Sequence, residues 1–227
     1  MPDPAPNAEL LNSLGRLVRG LSALFWGLPV ALVICVQTAK GDWLRPLGVV
    51  PPVVVTGLLV YGLVLLTPFQ KQERIWIAAL DRAKLCGLIN VGLSPFLYWW
   101  NRIPDQAFYV TVVELMVFSG LMFLLLLNPV LWRLAAMLPD ETLRLETKLF
   151  TTVNRYLLAT SLLLLAGYFV LMRFQSLPHQ LIDIILLLNR SSLWLVLFLI
   201  LLPVAMTMAL IWKIKEVILA SVFNPRP

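Results

Sequence analysis

Residues 85–100 read LCGLINVGLSPFLYWW, and whether this stretch crosses a bilayer decides the fold of the whole chain. It is the shortest of six apolar runs and the most interrupted, carrying Gly87, Asn90, Gly92, Ser94 and Pro95. The other five are Leu21–Ala39, Gly48–Thr67, Ala107–Leu127, Val153–Met172 and Ser191–Trp212. A hydrocarbon layer of roughly 30 Å takes about 20 mostly apolar residues per helical crossing, a length these five runs meet. If 85–100 turned back within the layer, every later segment would change sides.

Charge decides between the two threadings. With six crossings and the N-terminus inside, the inner segments hold Arg16, Arg19, Lys71, Arg74, Arg82, Lys84, Arg133, Arg144, Lys148, Arg155, Lys213, Lys215 and Arg226. The outer segments hold Lys40, Arg45, Arg102, Arg173 and Arg190, so the 18 cations divide 13 to 5. Cytoplasmic loops carry such an excess, whereas five crossings would erase it. The expected fold is all-α and polytopic: a cytoplasmic segment 1–20, one six-helix transmembrane domain over 21–212, and a cytoplasmic tail 213–227. The expected location is a bacterial cytoplasmic (inner) membrane with both termini cytoplasmic.

Composition agrees. Of 227 residues, 60% are hydrophobic and 13% charged, with a mean hydropathy of +0.87. The net charge of +6 sits at the ends of apolar runs, which favours headgroup anchoring over a nucleic-acid partner. Aromatic rings form two belts at the same boundaries. Trp43, Tyr98, Trp99, Trp100, Tyr109 and Trp194 mark the outer one, and Trp76, Trp132, Tyr156 and Trp212 the inner one. Of these, Trp43, Trp76, Trp99, Trp100, Trp132 and Trp212 are the expected interfacial anchors.

The connecting segments are short. Residues 68–84 read as an amphipathic helix lying on the inner headgroups. Asn128-Pro129 is expected to end the fourth helix, and Pro139-Asp140 to start another, with Asp140 as N-cap. Run unbroken into the fifth crossing, that helix would cover about 33 residues, roughly 50 Å, and project into the cytoplasm. Leu181, Ile184, Ile185 and Leu188 suggest an outer interfacial helix. The N-terminal Pro2, Pro4 and Pro6 mark a polar, Pro-rich segment expected to be mobile unless a partner holds it. Pro29, Pro95 and Pro203 should kink their helices. Small residues four apart, Ala31 with Cys35 and Ala205 with Ala209, are candidate helix contacts, and no GxxxG occurs.

The search for chemistry returns one residue. Glu114 lies inside the fourth run, about 10 Å from its outer end, where a carboxylate must face protein or water. The same layer could hold Gln37, Thr56, Ser94 and Tyr98, none of them a cation. No P-loop, GxSxG, HExxH or GxGxxG is present. The single His179 and the distant Cys35 and Cys86 offer no metal, haem or disulfide framework, so neither a metal nor another cofactor is expected. The first reading is a non-catalytic subunit, scaffold or assembly factor with other integral membrane proteins as partners. The second is a small permease or channel using Glu114. The third is an enzyme acting on a lipid or quinone.

Overall fold

The computed structural model describes residues 4–70, 72–138, 141–173 and 199–220, and every regular element among them is a helix. These are α1 (Pro4–Lys40), α2 (Val50–Leu66), α3 (Arg74–Leu93), α4 (Phe96–Arg102), α5 (Ala107–Ala136), α6 (Glu141–Arg173) and α7 (199–220), with a 3₁₀ turn at Arg45–Leu47. Three are long and apolar enough to cross a membrane, within Asn12–Lys40, Ala107–Ala136 and Glu141–Val170. Val50–Leu66 is apolar but shorter. This is a helical membrane protein; in hydrocarbon only elements that satisfy their own backbone groups survive, and helices do so within one segment.

The helices form a circuit. α1 packs on α2, α2 on α3, α3 on α5 and α5 on α6, while short α4 bridges α1 and α5. α7 closes the ring between α6 and α1, with Trp212 and Phe25 ring centroids 5.6 Å apart. A leucine-rich core runs through it, including Leu17, Leu21, Leu24, Leu63, Leu66, Leu80, Leu127, Leu131 and Ile214, all fully buried.

The α1–α2 seam is the tightest. A Cβ built on Gly20 would lie 2.8 Å from the Gly62 carbonyl oxygen, and one on Gly27 would lie 2.8 Å from Leu59 Cδ2. At Gly20 glycine is required because the two backbones nearly touch, whereas at Gly27 the obstacle is the Leu59 side chain. Gly48 has a different reason: at φ 60° and ψ −130° it turns the chain from the 3₁₀ segment into α2, a conformation costly for any residue with a Cβ.

Several expectations are corrected. Residues 68–84 do not form a separate surface helix; α3 begins at Arg74 and runs through to Leu93. The run 85–100 is instead divided at Ser94-Pro95, so neither α3 nor α4 alone offers the roughly 20 apolar residues of a full crossing. Pro95 has no N–H for the Val91 carbonyl, and Ser94 Oγ donates to that oxygen at 2.9 Å in its place. Asn128-Pro129 does not end the fourth helix. α5 continues to Ala136 because the turns after Pro129 are held by packing: Val130, Leu131, Leu134 and Ala135 are fully buried. The N-terminal segment is helical from Pro4, since prolines in a first helical turn forfeit no bond the turn could make.

Trp76 is a further correction. It is fully buried on the core side of α3 and cannot anchor in headgroups. Trp43, Trp99 and Trp212 are exposed, and Trp100 and Trp132 half-exposed. The long helix into the fifth crossing is as expected: α6 has 33 residues, about 50 Å. Asp140, His179, Trp194 and the expected helix around 181–188 lie outside the described residues.

Candidate functional site

Glu114 sits on α5 one turn from Thr111 and Phe118, and these side chains face α6. Together with Leu115, Ala166, Phe169 and Val170 they line a groove of about 240 Å³ that opens to the surface. Phe118 and Phe169 close its floor with ring centroids 5.7 Å apart. Glu114 is half-buried and has an interaction within the protein. Among the described residues, Thr111 is the one other polar side chain that lines this groove.

The residues expected in the same layer are placed elsewhere. Thr56 and Ser94 meet across α2 and α3, their hydroxyl oxygens 3.4 Å apart, while Thr56 Oγ1 donates to the Pro52 carbonyl at 2.7 Å. Both hydroxyls mainly satisfy local backbone carbonyls, and both are buried. Gln37 is exposed near the end of α1, beside Gly41. Tyr98 is half-exposed on α4, with the Arg102 guanidinium 5.4 Å from its ring centroid. None of these four lines the Glu114 groove.

Two buried polar clusters were not anticipated. Between α3 and α5, Cys86 Sγ and Asn90 Nδ2 both donate to the Ser119 carbonyl, each at 3.3 Å. Among α5, α6 and α7, Asn154 Nδ2 donates to Asn128 Oδ1 at 3.1 Å and to Thr207 Oγ1 at 3.0 Å. Thr207 Oγ1 donates in turn to the Pro203 carbonyl at 2.7 Å. Asn128 and Asn154 are 2% exposed and Thr207 is fully buried. Higher on the same seam, Ser161 Oγ lies 3.4 Å from the Leu199 carbonyl, the acceptor that Pro203 leaves without its helical donor. The sequence signal for this seam was present: Thr147, Asn154 and Ser161 recur every seven residues on α6, and all three are buried.

Chemically the arrangement offers little. Among the described residues no three His, Cys, Asp or Glu side chains gather where they could hold a metal ion. Ion pairs between described residues include Arg45 with Asp42 beside the 3₁₀ turn, Lys84 with Asp81 within α3, and Lys213 of α7 with Glu146 of α6. The polar seam is suited to fixing which turn of α6 meets which turn of α5 and α7. No family model matches the chain, and neither a curated protein nor a solved structure matches it.

Proposed function

We propose that this chain is a six-crossing integral membrane subunit without chemistry of its own, a scaffold or assembly factor that docks another integral membrane protein along α6. The 13-to-5 cation asymmetry supports six crossings with both termini on the cytoplasmic side of a bacterial inner membrane, α3 and α4 together supplying the third.

The outer face of α6 carries the reading. Leu149, Tyr156, Leu163 and Val170 recur every seven residues and are 66%, 73%, 73% and 55% exposed, and Leu145 prolongs the stripe. This face lies opposite the buried Thr147, Asn154 and Ser161. Lipid can cover Leu163 and Val170. Leu145 and Leu149 stand in a charged stretch with Arg144, Glu146 and Lys148, before the apolar run begins, where acyl chains are not expected to cover them. A heptad stripe that leaves the bilayer without interruption fits a second helix packed alongside it.

The test is purification in mild detergent, with a photo-crosslinking residue at Leu145 or Leu149 and mass spectrometry of what is captured. A discrete integral membrane protein is expected at both positions. A clean monomer with crosslinks to lipid alone would overturn the reading. The permease reading draws less support, because it needs polar groups converging on Glu114 and the groove there is largely aromatic and aliphatic.

A further inference from the structure

A second groove, of about 440 Å³, opens between α3 and α5 at their inner ends. Arg74 and Arg82 stand on one face of α3, eight residues and so about 12 Å apart, with Ala78 between them. Pro129, Trp132 and Arg133 of α5 form the facing wall, and the Arg133 guanidinium lies 4.7 Å from the Trp132 ring centroid. Among the described residues the lining contains three guanidinium groups and no carboxylate. None of the three forms an ion pair with a described residue; of the neighbouring acids, Asp81 is taken by Lys84 at 3.2 Å, and Glu73 precedes Arg74 in the chain.

We infer that this groove binds the phosphodiester headgroup of an anionic phospholipid. Guanidinium groups match phosphate oxygens in a two-pronged fork, and several of them gathered without counter-charge form a site for an anion. The small alanines of α3 and Pro129 leave an apolar trough beside the charges, which suits a glycerol backbone and the first carbons of acyl chains better than a soluble anion. Trp132 supplies the amphipathic ring typical of headgroup depth, and basic pockets between helices on the cytoplasmic side recognise such lipids. The 12 Å between Arg74 and Arg82 leaves room for two phosphates. The inference rests on the membrane reading above, though not on the proposed partner of α6.

The experiment reconstitutes the full chain into vesicles of phosphatidylcholine alone, or with phosphatidylglycerol or diphosphatidylglycerol, then extracts it and counts retained lipids by native mass spectrometry. Wild type should retain the anionic lipids selectively. Arg82→Gln and Arg133→Gln should each weaken retention about fivefold, whereas Arg16→Gln, on the same side but outside the groove, should change it less than about twofold. Equal retention of phosphatidylcholine and anionic lipid by wild type, which requires no variant, would overturn the inference. So would anionic retention unaffected by both groove substitutions. Displacement of the lipid by inorganic phosphate or glycerophosphate at millimolar concentration would reassign the groove to a soluble anion. Failure of the chain to enter phosphatidylcholine vesicles at all would sink the membrane reading itself, a result distinct from entry without headgroup preference.

Discussion

Replacing Gly20 with Ala should destabilise the protein, although alanine is the better helix former. The added Cβ would overlap Leu66 Cδ1 and lie 2.8 Å from the Gly62 carbonyl oxygen. The leucine methyl can rotate away. The carbonyl cannot, because it belongs to the α2 backbone, so α1 and α2 must separate along the seam that buries Leu17, Leu21, Leu24, Leu63 and Leu66. Overpacking of this kind costs about 1–3 kcal/mol, against a helix-propensity gain of up to about 1 kcal/mol. Gly57, also on α2, is the control, since a Cβ there meets nothing within 4 Å and only the gain applies. The two variants should therefore differ by about 2 kcal/mol. At about 2–4 °C per kcal/mol for a chain of this size, the gap is roughly 4–8 °C in Tm, measured in one detergent by loss of helical circular dichroism. Gly62→Ala should fall between them, its Cβ lying 3.0 Å from Leu24 Cγ and 3.2 Å from the Gly20 carbonyl oxygen. Equal Tm values for Gly20→Ala and Gly57→Ala would refute the close approach of α1 and α2.

Asn154→Leu should lower stability by about 1–2 kcal/mol in the same melt, and the cycle with Asn128→Leu should show the double variant less damaged than the two single losses combined, since each alone strands the other's amide. Additive losses would mean that the two amides do not interact. Gly48→Ala should cost about 1–3 kcal/mol through its positive φ, and an unchanged Tm would refute that strain. Glu114→Gln should leave co-purification of any α6 partner intact; loss of the partner would tie the groove to assembly.

What the sequence made legible was what repeats along one segment. Apolar length located α1, α2, α5 and most of α6, and Pro139-Asp140 placed the start of α6 within a residue or two. What it hid depends on two segments meeting. Gly20 and Gly62 form no GxxxG because each helix contributes one glycine, and their pairing appears only once α1 and α2 are side by side. Trp76 looks like an interfacial anchor beside its charged neighbours, yet it points to the opposite side of α3 from Arg74 and Arg82. Asn128 read as a helix breaker because a proline follows it. Its amide instead accepts from Asn154, and local propensity yields to the packing of α5. The candidate site was legible only as a residue: Glu114 could be picked out, but its groove partners Ala166, Phe169 and Val170 come from another helix.

The two sides of the bundle are held by different forces, and this bears on what α6 is for. α1 and α2 are joined by close backbone approach and a continuous row of leucines, a contact that needs nothing further. α6 buries only a narrow stripe, and three of the buried positions on it, Thr147, Asn154 and Ser161, are polar. Hydrogen bonds between membrane helices contribute about 0.6 kcal/mol on average, enough to select a register but little to hold a 33-residue helix in place. Among the described residues Thr147 Oγ1 and Asn154 Oδ1 find no hydrogen-bond partner although both are buried, which weakens the seam further. Under the proposal made above, a second helix covering the exposed heptad stripe would add burial that the polar seam does not supply. On the proposed reading the polar seam would align α6 ahead of the partner, and the partner would bury the stripe that the chain leaves exposed.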